Sequence, residues 1–419
     1  MPPELIFMNF RKFINSLLPG IFLFGFTIGT GSVTAMAKAG ADYGMSLLWA
    51  ILLSCYITYF MIDQYGRFTL ITGYTALAAF KKYIHPGVGI FFVVALTMHV
   101  SGSIIGVMGI LADICHEWSA TFIKGGIPRT AIAVFFVTLV YLLFLDGRTR
   151  VFQKVLSFIV GIMAICFLMN VLITTPPAAE IAKGLIPRLP AGSSADKAFL
   201  VIASMVGTTV FSGLFILRGT LVKEAGWTWE DYKTQRRDAL FSGILMFIVS
   251  ASIMAAASGS LHTQGIRLEN VSEMIGLLEP VAGLFAVGIF TIGVVAAGVS
   301  SQFPNVSLLP WLLDDYGNRK PNLRRTDYRI YVLLLSALGM IVPLFQAKPV
   351  TVMIASQAFS ALILPATVAC LIYLGNSKRV VGKNRLSVSA NIQLALVMIF
   401  SVIMSYMSYS GLIAFIKNL

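Results

Sequence analysis

Eleven apolar stretches run through this chain, at about 16–40, 45–66, 87–112, 129–146, 151–174, 197–217, 238–259, 280–311, 328–346, 350–374 and 388–415. About 20 apolar residues in a helix cross a bilayer core, and backbone in hydrocarbon must satisfy its own hydrogen bonds. Helices are therefore the form these stretches can take. The polar gaps reach only about 30 residues, too short for a soluble domain. Charged residues make up 12% of the 419, half of the roughly 25% usual in soluble proteins. The chain reads as an all-α integral membrane protein, one transmembrane domain over 1–419. Its first stretch lacks the short apolar core and cleavage site of a signal peptide and reads as span 1.

Lysine and arginine set the orientation. With the N-terminus inside, 22 of the 31 basic side chains fall in inner segments, among them Arg11, Lys12, Arg236, Arg237, Lys378 and Arg379. This is the positive-inside pattern. It puts the N-terminus in the cytoplasm and the C-terminus outside, and the short loops suit a bacterial inner membrane. The net charge of +13 belongs to those loops and not to nucleic-acid binding. Cys55, Cys115, Cys166 and Cys370 are scattered, form no CxxC and read as small core residues. No nucleophile–base pair, phosphate loop or metal cluster points to an enzyme or a cofactor.

Two of the stretches are interrupted. Span 1 holds Gly29-Thr30-Gly31-Ser32, and span 6 holds Gly207-Thr208-Thr209-Val210-Phe211-Ser212-Gly213. Small residues also let membrane helices pack closely, so one such cluster means little. Two of them open matching halves, about 16–174 and 197–374, which cross in opposite directions, with the stretch at about 388–415 left over. Broken helices at equivalent places of inverted halves mark a transport site at mid-membrane. The implied partners are the lipid bilayer and a small inorganic ion; no obligate protein partner is evident. A sensor built on a transporter scaffold is the other class to weigh, but no large output domain is attached.

Several motifs, in order, resemble the NRAMP (natural resistance-associated macrophage protein) family of metal ion transporters. They are "AGADYGMSLLW" (39–49), "GRFTLITG" (66–73), "GRTRVFQKVLSFIVGIMA" (147–164), "KGLIPRLP" (183–190), "AAGVSSQ" (296–302) and "ASQAFSALILP" (355–365). The resemblance implies a LeuT-like fold: two inverted five-helix repeats plus helix 11, with helices 1 and 6 broken at mid-membrane. It fails at the metal site. Where the family's helix 1 carries Asp-Pro-Gly-Asn, this chain has Gly29, Thr30, Gly31 and Ser32; where its helix 6 carries Met-Pro-His, this chain has Phe211, Ser212 and Gly213. Val100 and Ser103 stand where the family's helix 3 acids would be, and only Gln357 matches a residue bordering the family's site. The resemblance thus implies a related branch lacking the metal-site residues.

A divalent cation at mid-membrane needs negative charge or several strong oxygen ligands in place of its water. An uncharged helix break offers the reverse, namely unsatisfied N–H groups, the positive end of a macrodipole and hydroxyl donors, which together suit an anion. The reading is a site converted to a small oxyanion, with bicarbonate the best fit, bound by Gly29, Thr30, Gly31, Ser32, Thr208, Thr209, Phe211, Ser212, Gly213 and Gln357. The alternative is a divalent metal transporter, for Mg²⁺ or Mn²⁺, with an atypical site. Anion entry into a negative-inside cell costs about 2.3 kcal/mol per 100 mV, so uptake calls for Na⁺ or H⁺ coupling. Thr27, Ser300 and Ser301 are the candidates for the coupling ion. Arg218 either attracts the anion from inside or snorkels at a helix end, and Lys38 either funnels anions or is a solvated flank. His99 in span 3 reads as a packed, hydrogen-bonded histidine with a titration role as the sharper option. "MIFSVIMSYM" (398–407) reads as lipid-facing or packing surface.

Overall fold

The computed structural model describes residues 23, 25 and 27–417, apart from 147–160, 163, 174–175, 191–194, 276, 278–285, 320–321 and 323–324. The principal helices are α1 (Thr30–Tyr43), α2 (Leu48–Thr72), α3 (Pro86–Ala120), α4 (Arg129–Asp146) and α5 (Ala164–Ile173). Then follow α6 (Ala195–Thr209), α7 (Ser212–Glu224), α8 (Tyr232–Ser260), α9 (Ala286–Tyr316), α10 (Thr326–Ala337), α11 (Pro349–Asn376) and α12 (Val388–Lys417). Among the described residues there are no strands. Among the described residues, seven helical segments are long and apolar enough to cross a membrane, as expected of a bilayer protein whose backbone must pair within each segment.

The apolar windows of these segments are covered to very different degrees. That of the α6–α7 segment is 94% buried, whereas that of α12 is 33% buried. The broken pair is thus the axis of the molecule and α12 a peripheral helix. On α12 the stretch 398–407 divides between both roles. Ile399, Val402, Ile403 and Tyr406 are exposed, as lipid-facing residues are, while Phe400, Met404 and Met407 pack inward. Around the axis, α11 packs on α3, α6 and α12, α8 packs on α1 and α2, and α9 packs on α3. Close approach there rests on glycine: a Cβ at Gly207 would stand 2.0 Å from the Gln357 carbonyl oxygen, and one at Gly40 would stand 2.2 Å from that of Met254.

Both interruptions are real breaks. Before α1 the helix ends at Thr27, Ile28 and Gly29 are non-helical, and Gly29 is extended at φ −106°, ψ −170°. Between α6 and α7, Val210 closes the last turn onto Val206 and Phe211 is extended at φ −76°, ψ 117°. A broken helix exposes carbonyls and N–H groups that need partners. Hydroxyls from neighbouring helices meet this need. Thr58 Oγ1 on α2 donates to the Thr209 carbonyl at 2.8 Å, and Thr367 Oγ1 on α11 donates to Ser212 Oγ at 2.8 Å. Tyr65 donates to the Thr367 carbonyl at 2.8 Å and its ring stacks on Phe215, which ties the start of α7 to both helices.

Candidate functional site

The two breaks open onto one cavity of about 30 Å³. A water needs about 10–15 Å³ of such space, so the cavity holds roughly two waters or one ion of a few atoms. The first break contributes Thr27, Gly29, Gly31 and Ser32, and the second contributes Thr208 and Phe211. The α3 face contributes His99, Ser103 and Val107; α9 adds Ser301 and Asn305, and α11 adds Gln357. No carboxylate or thiolate lines it. Among the described residues, no three His, Cys, Asp or Glu side chains converge as a metal site.

The walls differ in what they offer. Thr27 Oγ1 donates to the Leu23 carbonyl at 2.8 Å, and Ser301 Oγ donates to the Gly298 carbonyl at 3.0 Å. A hydroxyl has one proton, so these two present only lone pairs to the cavity. Gly29 permits this pole: a Cβ there would lie 2.6 Å from Ser301 Cβ. The other lining side chains are rich in donors. Ser32 Oγ is buried without a partner. Ser103 Oγ accepts from Gln357 Nε2 at 3.3 Å and keeps its own proton free to donate. The Thr208 hydroxyl and the Asn305 amide are buried cavity-lining groups that add further donors. Gly31 sits against the Gln357 amide, where a Cβ would lie 2.5 Å from Nε2. Behind that amide lies a thioether, Met353 Sδ, 3.3 Å from Nε2.

His99 is a buried member of this lining. Its Nδ1 is 3.1 Å from the Ser356 carbonyl and its ring lies 4.7 Å from the Phe211 ring. Phe211 in turn fills the space that Gly213 leaves empty, where a Cβ would come within 2.4 Å of the ring.

A sequence model described as "Natural resistance-associated macrophage protein-like" matches residues 21–410. The chain belongs to the Nramp family. It is similar to the Natural resistance-associated macrophage protein 2 homolog of Dictyostelium discoideum, 24% identical over 91% of this chain and 61% of that protein. It is also similar to the divalent metal cation transporter MntH of Acidiphilium cryptum, 24% identical over 84% of this chain and 80% of that protein. The chain thus spans less than two thirds of the Dictyostelium relative's length. Among solved structures it resembles a mutant of the Eremococcus coleocola manganese transporter, with TM-score 0.73 at 15% identity, covering 95% of this chain and 86% of that one. Mhp1 in its inward-facing conformation gives TM-score 0.60 at 14% identity, covering 95% of this chain and 88% of that one. The fold is the LeuT-like arrangement of an integral membrane protein, two inverted five-helix repeats plus a last helix, broken in its first and sixth spans.

Within this Nramp-family frame, Gly29, Gly31, Ser32, Thr208, Phe211 and Gln357 meet at the cavity. The remaining expected ligands do not line it. Thr30 Oγ1 is buried without a partner, while its carbonyl accepts from Thr34. Thr209 donates to the Met205 carbonyl, Ser212 is held by Thr367, and Gly213 makes room for Phe211. Those positions build the break rather than line the cavity. Thr27 and Ser301 share the cavity with the other residues, so the structure merges what the sequence separated into two sites. Ser300 is not part of it; its Oγ donates to the Ala297 carbonyl.

Two basic residues need correction. Arg218 neither snorkels nor faces an anion. It is completely buried, with Nη1 2.6 Å from Asp238 Oδ2 and Nη2 donating to the Gln235 carbonyl at 3.1 Å. Lys38 is tied down as well, 2.8 Å from Asp42 Oδ2 and 2.8 Å from the Leu268 carbonyl. Asn305 was missed, and His99, Ser103 and Val107 were not assigned to the site. Both sets carry a signal in the sequence. They recur every fourth residue, 301 and 305 on one helix and 99, 103 and 107 on another, which is one helix face.

Proposed function

We propose that this Nramp-family chain is a transporter that carries a small oxyanion, with bicarbonate as the substrate that matches size and charge. The observation that carries the reading is the cavity's donor-rich lining. Four lining side chains, Ser32, Ser103, Thr208 and Asn305, offer hydroxyl or amide protons, no acid lines the cavity, and the α1 N-terminus adjoins it without a side-chain cap. A helix start places partial positive charge and free N–H groups at such a point. The volume suits an ion of about four heavy atoms and not a phosphate ester or an amino acid.

Coupling follows from the chemistry of that substrate. A proton carried with bicarbonate is equivalent to CO₂ and water, and CO₂ crosses a bilayer unaided. Only the other candidate, Na⁺, stores work in a bicarbonate gradient. The lone pairs of Thr27 and Ser301 are the groups that would receive a small cation. On the Ser301 helix, Pro304 lacks an N–H and leaves the Ser300 carbonyl without its usual intrahelical donor. In this reading the membrane is a bacterial inner membrane with the N-terminus in the cytoplasm, the side to which most of the Lys and Arg residues point.

The second reading is a divalent metal, as the names of the MntH relatives state for those proteins. Met353 Sδ, one side chain behind the cavity wall, is the observation that favours it. Ligand-dependent stabilisation separates the two. A ligand that binds only the folded state raises stability by RT ln(1 + [L]/Kd). Bicarbonate is expected to raise the melting temperature of the purified protein, more so with Na⁺, and Mn²⁺ and Mg²⁺ are expected to leave it unchanged. A shift with metal and none with bicarbonate overturns the proposal.

A further inference from the structure

We infer that His99 is the specificity residue for a protonated oxyanion, accepting the hydrogen bond of the substrate's own O–H at its Nε2. The inference rests on the oxyanion reading above and sharpens it.

The tautomer is fixed by chemistry. A carbonyl oxygen only accepts, so the Nδ1 that lies 3.1 Å from the Ser356 carbonyl carries the proton. In a neutral imidazole the other nitrogen is then a bare acceptor. His99 is 5% exposed and lines the cavity, and its Nε2 has no hydrogen-bond partner among the described residues. The Phe211 ring, 4.7 Å away, fixes the imidazole from the side. The structure therefore sets an imidazole acceptor, unpartnered among the described residues, beside the cavity's donors.

Bicarbonate has three oxygens, two sharing the negative charge and one bearing a hydrogen. The charged oxygens need donors, which Ser32, Ser103, Thr208 and Asn305 offer. The O–H needs an acceptor, which Nε2 provides. Nitrate has the same planar shape, the same charge and no hydrogen. Bound here it would bury Nε2 with nothing to accept, and an unsatisfied buried group lowers affinity about tenfold or more. A site built around a substrate's hydroxyl rejects the analogue without it far better than a site built on shape. Nitrate also sheds its water more easily than bicarbonate, so a plain donor cavity would prefer nitrate. Preference for bicarbonate is the diagnostic sign.

The test is uptake of labelled bicarbonate into proteoliposomes at pH 8.5, with protein-free liposomes as blank and nitrate as competitor. Wild type is expected to take up bicarbonate with nitrate inhibiting at least tenfold more weakly than unlabelled bicarbonate. His99→Asn keeps a nitrogen near the Ser356 carbonyl and removes the acceptor. It is expected to raise the half-saturating bicarbonate about tenfold and to let nitrate compete equally. His99→Gln places an amide oxygen near the position of Nε2 and is expected to retain most of the discrimination, which also reports that replacing the ring leaves a folded protein. Equal nitrate competition in wild type, or unchanged discrimination in His99→Asn, overturns the role of His99 while leaving the oxyanion reading intact. No bicarbonate uptake by wild type overturns both.

Discussion

Removing the Arg218 guanidinium tests whether it is structural or part of the ion path. Arg218 and Asp238 are both fully buried, 2.6 Å apart, on helices α7 and α8. Arg218→Met keeps most of the apolar stem but leaves Asp238 without its cation, and breaking a buried pair in this way costs about 3–5 kcal/mol. Adding Asp238→Leu removes the stranded charge. The Gln235 carbonyl still loses the donor now 3.1 Å away, at about 1–3 kcal/mol. The double variant is therefore expected to recover about 2 kcal/mol relative to the single one. Unfolding of each variant in mixed micelles of rising dodecyl sulfate content, followed by tryptophan fluorescence, reads this directly. Substrate half-saturation in the double variant should stay within about twofold of wild type. A double variant no more stable than Arg218→Met, or one that regains stability but loses substrate affinity, refutes the structural assignment.

Three further outcomes follow from the packing. Gly207→Ala should drive α6 away from α11, because its Cβ would meet the Gln357 carbonyl oxygen at 2.0 Å; the expected result is loss of folded protein in size-exclusion profiles, and a normal profile would show that this contact yields. Lys38→Gln should leave uptake affinity unchanged even at low salt, because Lys38 is already held by Asp42 and Leu268; a salt-dependent loss of affinity would restore it to the ion path. Gly29→Asp with Ser32→Asn should weaken anion uptake and admit Mn²⁺, provided Ser301→Gly is added, since a Cβ at position 29 lies 2.6 Å from Ser301 Cβ; intact anion flux in that triple variant would mean the first break does not form the site.

The helices were legible because a bilayer imposes length and hydrophobicity on each span separately. The two breaks were legible because Gly, Ser and Thr inside an apolar run are local signals. What lay beyond the sequence was pairing across helices. Arg218 has the look of an exposed helix end until Asp238, twenty residues on, packs against it. Nor does the sequence tell which hydroxyls of a small polar cluster face a ligand. Thr208 lines the cavity while Thr209, its neighbour, turns back onto Met205. The contrast follows from the helix's 100° step per residue, and the register is set by tertiary packing. Asn305 was readable in principle, one turn beyond Ser301 within the span at about 280–311, but one amide in an apolar span does not say whether it faces a ligand or a neighbouring helix.

The most direct measurement follows two fluxes in the same proteoliposomes. A trapped metal dye reports Mn²⁺ and Mg²⁺ entry, and a trapped pH dye reports alkalinisation under an inward bicarbonate gradient, with and without Na⁺. A neutral donor-lined cavity predicts protein-dependent alkalinisation that Na⁺ accelerates, with no metal entry. Saturable metal entry without a bicarbonate response would contradict it and would mean that hydroxyls, amides and retained water suffice to carry a divalent cation.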